Sequence, residues 1–172
     1  MSHLRGKVFK YGDNINTDLI SPPQYLEKSL EIIAQHAMEG VDEQFAKQIL
    51  PGDMIVAGNN FGPGSSRETA PIALKMAGVS VVIAKSFARI FFRNAINIGL
   101  PVLECPDIDR ICAGDILEVD LLSGVIVNAT SGETYQAAAL SETVATVLTA
   151  GGLVPFLERK YGTNCRECLK AP

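Results

Sequence analysis

The chain has 172 residues, 47% of them hydrophobic and 20% charged, and its 15 basic and 19 acidic side chains give a net charge of −4. That length and balance fit one globular domain with a sizeable core. No basic block appears, which speaks against a nucleic-acid partner, and no apolar run has signal-peptide length or approaches the roughly 20 residues of a membrane span, so a soluble, cytoplasmic protein is expected.

Residues 6–11 (GKVFKY) alternate weakly and predict a short strand. Residues 12–18 (GDNINTD) are a polar turn cluster whose Asx side chains suit bonds to their own backbone. Pro22-Pro23 blocks a helix at that point. From 25 to 38 a helical period places Leu26, Leu30, Ile33 and Ala37 on one face, and 41–50 predicts a further helix stopped by Pro51-Gly52. A strand over 54–57 (MIVA) then leads through NNFGPGSSRE to a helix over 69–77, ended by Gly78. A second strand over 79–84, a helix over 86–98 ended by Gly99, and a third strand over 101–104 follow. Unalternating apolar strands separated by helices predict parallel strands buried on both faces. Residues 114–138 change character and predict three strands with turns at Ser123-Gly124 and Ser131-Gly132. Terminal helices are expected over 144–148 and 153–161. The fold class is therefore α/β: a single compact domain with a mixed, partly parallel sheet flanked by helices.

The segment from Asn59 to Glu68 holds two glycines, a proline, two serines and Arg67 between a strand and a helix. Ser65-Ser66-Arg67-Glu68 fits a capping box, with Ser65 as cap and Glu68 reaching back. Under that reading Pro71 is the sixth helical residue, where its missing amide removes a bond. A cap at Thr69 instead puts Pro71 at the second position, where none is lost. In both cases Gly62 and Gly64 permit unusual backbone conformations, free amides at a helix start attract anions, and Arg67 offers a fork of donors suited to a carboxylate. Strand-to-helix corners of α/β sheets are where ligands bind. The residue order fits neither a Walker loop, a dinucleotide fingerprint nor a GxSxG elbow. An anion site and a purely structural turn both remain open on these grounds.

Four cysteines occur, at 105, 112, 165 and 168. Cys165 and Cys168 form one CxxC without the second ligand pair a zinc site needs, and neither His3 nor His36 has a metal-site spacing, so thiols without a metal are expected.

Three motifs in order, GDNINTDLISP, NNFGPGSSRETAP and AKSFARIFFRNAINIGLP, resemble the small subunit of 3-isopropylmalate dehydratase, which corresponds to the swivelling domain of aconitase. The resemblance covers most of the chain. It implies a β/β/α swivel-like domain over residues 1–163 with a C-terminal tail over 164–172. It implies dehydration and rehydration of a 2-hydroxy dicarboxylic acid in leucine biosynthesis. A large subunit would carry a [4Fe–4S] cluster that acts as a Lewis acid, with no metal ligand and no cofactor in this chain. By motif position Ser65 is the implied base, with Ser66 and Arg67 holding a substrate carboxylate and Asp18 and Gly64 in support. Tyr25, Leu26 and Glu27 fall where the family selects the substrate's side group. An arginine there suits the extra carboxylate of homoaconitate; Glu27 opposes one unless Lys28 turns in instead, so isopropylmalate stands first, with 2,3-dimethylmalate and homoaconitate as the alternatives. Thr69 and Pro63 depart from the histidine and cysteine many relatives carry. A non-catalytic dicarboxylate-binding module on the same fold is the rival from another class.

Overall fold

The structure is a computed structural model and describes residues 3–162. Cys165, Cys168 and the tail lie outside the described residues, so neither the CxxC reading nor the boundary at 163 meets a structural observation. Among the described residues the strands are β1 (His3–Lys10), β2 (Met54–Ala57), β3 (Val81–Ala84), β4 (Val102–Glu104), β5 (Ile116–Asp120), β6 (Val125–Asn128) and β7 (Thr134–Gln136). The helices are α1 (Thr17–Ile20), α2 (Leu30–Gln35), α3 (Phe45–Gln48), α4 (Thr69–Ala77), α5 (Arg89–Ile98), α6 (Glu142–Ala150) and α7 (Leu153–Tyr161).

One mixed sheet runs in the order β4-β3-β2-β1-β5-β6-β7. The first four strands in that order are parallel, with Val8 opposite Met54, Met54 opposite Val81 and Val82 opposite Val102. β1 pairs antiparallel with β5, which opens the antiparallel half through β6 and β7. β1 therefore joins the two halves.

Strand side chains alternate between faces, and β2 shows it directly. Ile55 and Ala57 enter the layer beneath α4 and α5, with Phe9, Leu74, Val82 and Phe91. Met54 and Val56 enter the opposite layer, where Val8, Val81 and Ile83 meet Leu117, Val119, Ile126 and Tyr135. The second face is thus covered by the curled antiparallel half and by Ile108 and Ile111, not by helices. Cys105 is buried in that layer; burial pushes its thiol up, which suits a structural side chain.

Several sequence expectations need correction. The helix expected over 25–38 is broken. Pro23–Tyr25 make a 3₁₀ turn, the chain turns again through Lys28, and helix is confined to Leu30–Gln35. A ring contact explains why. Tyr25 stacks on His36 with centroids 3.7 Å apart and planes 9° apart, whereas eleven residues of continuous helix would hold them roughly 16 Å apart along the axis. Leu30, expected on the buried face, is exposed. The helix expected over 41–50 is a single turn at Phe45–Gln48, because Asp42 Oδ1 accepts from Gln44 N in an Asx turn and Asp53 Oδ2 accepts from Leu50 N. The first strand begins earlier than expected, at His3. α5 starts at Arg89 rather than 86, since Ser86 and Phe87 are used by the neighbouring loop.

Candidate active site

β1, β2 and β3 are parallel neighbours, so their C-terminal ends lie at one edge of the sheet. Three connections leave that edge: residues 11–16 to α1, 58–68 to α4 and 85–88 to α5. The middle one carries Ser65, Ser66 and Arg67, and the other two fasten it.

From the first side, Gly58 N donates to Gly12 O (3.0 Å), Asn59 N to Asp13 Oδ1 (2.6 Å) and Gly62 N to Ile15 O (2.8 Å). Thr17 then makes a clasp: its amide donates to Pro63 O (2.9 Å) and its Oγ1 accepts from Ser65 N (3.1 Å). From the other side, Asn60 N donates to Ser86 Oγ (2.8 Å), Phe61 N to Ser86 O (2.9 Å) and Ala88 N to Phe61 O (2.9 Å). Asn94, one and a half turns into α5, donates from Nδ2 to Ser66 O (2.9 Å).

Two glycines make the close approach possible. Gly62 (φ +83°) lies against Phe91, and a Cβ there would be 2.3 Å from the ring. Gly64 (φ +121°) lies against Thr17, where a Cβ would be 2.6 Å from Oγ1. Gly62→Ala should therefore cost about 2–4 kcal/mol, from left-handed strain plus overpacking. Thermal unfolding checks this; an unchanged Tm would mean that the loop seats itself without that contact.

The capping box is not formed. α4 starts at Thr69, with Glu68 at its cap position and no side-chain cap bond. Pro71 is the third helical residue, in the first turn, where its missing amide costs no bond. The serines are therefore not spent on the helix. Ser65 is half-buried, and Ser66 and Arg67 are exposed. Among the described residues, Ser65 Oγ, Ser66 Oγ and the Arg67 guanidinium bond no protein group. An ion pair of Arg67 with Glu68 or Glu104 does not exist; Glu104 Oε1 instead lies 3.4 Å from Phe87 N. The arrangement is a pinned backbone that presents unspent donors.

Other polar groups at this edge are committed. Tyr11 Oη donates to Asp42 Oδ2 (2.9 Å), and burial, then that bond, raises its phenol well above the usual value. Lys85 Nζ lies 2.6 Å from Asp109 Oδ1, whose bond holds the ammonium above its ordinary range.

Asp18 follows Thr17 in α1 and is exposed; Asn16 caps that turn by accepting from Leu19 N (2.9 Å). Tyr25 and Leu26 are half-buried, while Glu27 is exposed with no ion pair to Lys28. The structure thus brings Ser65, Ser66, Arg67 and Gly64 together with Asp18's helix, and places Tyr25, Leu26 and Glu27 on the segment that follows it. Sequence reasoning missed Thr17, Ser86 and Asn94. Asn94 gave no distinct signal, since α5 also carries Arg89, Arg93 and Asn97.

The site is thus a serine–arginine loop pinned at the C-terminal edge of the parallel strands of a mixed sheet. The profile of the Aconitase C-terminal domain matches residues 11–107, more than half of the chain. The 3-isopropylmalate dehydratase small subunit of Methanosarcina mazei is 54% identical over 157 residues, covering 91% of this chain and 97% of its own. The 2,3-dimethylmalate dehydratase small subunit of Eubacterium barkeri is also 54% identical, over 89% of this chain and 95% of its own. A crystal structure of 3-isopropylmalate dehydratase from Methanocaldococcus jannaschii superposes with a TM-score of 0.90 at 43% identity, covering 96% of this chain and 99% of that one. The chain belongs to the aconitase C-terminal domain family, among the small subunits of the 3-isopropylmalate dehydratase type. The relatives' shared designation as small subunits implies a large-subunit partner.

Proposed function

We propose that this chain is the small subunit of a cytoplasmic hydro-lyase that interconverts 2-hydroxy dicarboxylic acids by loss and return of water, with isopropylmalate as the first candidate. The observation that carries the reading is the loop in which Thr17 and Asn94 hold the backbone of Ser65 and Ser66 while both hydroxyls and Arg67 stay free. A structural turn would spend those groups.

In this reading Ser65 Oγ takes the carbon-bound proton of the substrate, and the electron pair left on carbon becomes the new double bond as hydroxide departs on the partner's side. Rehydration runs the same transfers backwards. A serine hydroxyl is a weak acid and needs positive potential to act as an alkoxide; Arg67 and the unbonded amides opening α4 supply it. Arg67 also offers two parallel donors to one substrate carboxylate, with Ser66 Oγ as a third. Asp18 supports the site beside Thr17, and Gly64 leaves room for the clasp.

The described residues contain no group of three or more His, Cys, Asp or Glu side chains able to hold a metal ion. They do not fit an iron–sulfur cluster, and in this proposal the [4Fe–4S] cluster belongs to the large subunit. The working domain is taken as residues 1–163, with 164–172 as a tail.

A second substrate, 2,3-dimethylmalate, is favoured by one finding: the relative acting in that reaction is as similar as the isopropylmalate one, at 54% identity. The exposed carboxylate of Glu27 stands against a tricarboxylate such as homoaconitate.

The test is reconstitution with a cluster-bearing large subunit, followed by a panel of 2-hydroxy acids. The chain alone should bind dicarboxylates weakly and turn over none; the complex should dehydrate an apolar-substituted malate. Tight calorimetric binding by the chain alone, with no turnover in the complex, would establish a non-catalytic binding module instead.

A further inference from the structure

Past the ends of β1 and β2, the connections 11–16 and 58–68 run on side by side. Gly58 N reaches Gly12 O, Asn14 N donates to Asn59 O (2.8 Å) and Asn59 N returns to Asp13 Oδ1 (2.6 Å). Each connection then bends at an asparagine in the left-handed region, Asn14 at φ +56° and Asn60 at φ +56°. The two asparagines are bonded to each other: Asn60 Nδ2 donates to Asn14 Oδ1 (2.9 Å). After each bend the chain turns inward, and the next residues, Ile15 and Phe61, are buried in the same core layer.

A left-handed conformation is strained for any residue with a Cβ, although asparagine tolerates it best. The other left-handed residues of these connections, Gly62 and Gly64, are glycines, for which it carries no such strain. Asn14 and Asn60 therefore bear a backbone penalty that glycine would remove, and what their side chains add is the bond between them. Both residues are exposed, so water competes for that bond and it contributes little to global stability. Its place in the ladder gives it another effect. The next cross-bonds outward are Gly62 N to Ile15 O (2.8 Å), Thr17 N to Pro63 O (2.9 Å) and Ser65 N to Thr17 Oγ1 (3.1 Å). Each link from the paired bend to Ser65 inherits the angle at which the two chains leave it. Ser66 is fastened separately, from α5, by Asn94.

We propose that Asn14 and Asn60 are positioning residues: their side-chain bond locks two matched left-handed bends together, and the lock sets where Ser65 Oγ stands, while Asn94 holds Ser66 and, beside it, Arg67. Strain at a site persists only where the surroundings over-determine it. Here the surroundings are the backbone ladder on one side and the buried Ile15 and Phe61 on the other. The two ends of the loop thus divide two duties. Loosening the bend displaces the hydroxyl that moves a proton, and a small displacement of a reacting group is costly in rate. The arginine fork that grips a carboxylate keeps its own anchor.

The effect on turnover rests on the dehydratase reading; the lock does not, and the experiment separates them. In the free chain, Asn14→Gly and Asn60→Gly should each raise amide exchange at Thr17, Gly62 and Ser65 about tenfold. The double variant should go no further, because both changes remove one shared bond. Tm should hold, since glycine relieves the left-handed strain in exchange for an exposed hydrogen bond. In the reconstituted complex each glycine variant should lower kcat about tenfold, with KM within about twofold. Asn14→Asp keeps an acceptor for Asn60 Nδ2 and tolerates the left-handed bend, so it should rescue kcat to within about twofold of the wild type. Unchanged exchange at the three amides, or losses that add in the double variant, overturn the lock. A rise in KM matching the fall in kcat, a lowered Tm, or no rescue by Asn14→Asp overturns the positioning role. A wild-type complex inactive on every 2-hydroxy acid removes that role together with the dehydratase reading, while amide exchange still decides the lock.

Discussion

Ser65→Ala should lower turnover by the reconstituted complex by about 10²–10⁴-fold, the range that a positioned proton-transfer group contributes. Assembly and thermal stability should not change. The reason lies in which atoms of Ser65 the fold uses. Its amide donates to Thr17 Oγ1 and survives the substitution; its Oγ bonds nothing among the described residues, so the fold loses no partner. Steady-state rates on the complex, with gel filtration and melting as controls, separate the two. Turnover within a few-fold of the wild type would remove Ser65 as the base. A lowered Tm would show that the hydroxyl was doing structural service.

Arg67→Ala should cost about 10²–10³-fold in kcat/KM, the loss expected when one side of a desolvated, hydrogen-bonded charge pair is deleted. Arg67→Lys should recover only part of it, because an ammonium keeps the charge but lacks the planar fork that meets both carboxylate oxygens. Arg67 has no carboxylate partner among the described residues, so neither substitution disturbs an ion pair seen there. The loss should therefore fall mainly in KM if Arg67 grips substrate and transition state alike, and in kcat if it chiefly stabilises the serine alkoxide. Equal kinetics for Arg67→Lys and wild type would exclude bidentate recognition.

The parallel half of the fold was legible because its signals are local and strong. MIVA and the run ending at Ala84 are short apolar stretches bounded by turns, and Gly78 and Gly99 end α4 and α5 in left-handed conformations as their positions promised. Residues 25–50 misled for the opposite reason. Ile33 and Ala37 are buried as the period promised but Leu30 is exposed, because polar side chains compete for the backbone and the stack of Tyr25 on His36 reverses the chain. Neither effect has a sequence period. The site was half legible. Ser65, Ser66 and Arg67 stand in a recognisable motif, and their roles rest on that resemblance. The groups that aim them, Thr17, Ser86 and Asn94, act across strand connections. Nothing in a linear reading pairs Thr17 with Ser65.

The clasp also carries a consequence for how the protein matures. The bonds from Asn59 to Asp13 and from Ser65 to Thr17 span 46 and 48 residues, so a loop of that length must close before either can form. No isolated segment can preorganise this corner. It comes into being only with the β1–β2 ladder, and β1 simultaneously edges the antiparallel half through β5. Under the proposed function, the site therefore depends on the pairing of the whole sheet rather than on any one segment. A chain that has not zipped β1 between its two neighbours has helices and a hydrophobic interior to show, but nothing yet for a large subunit to complete.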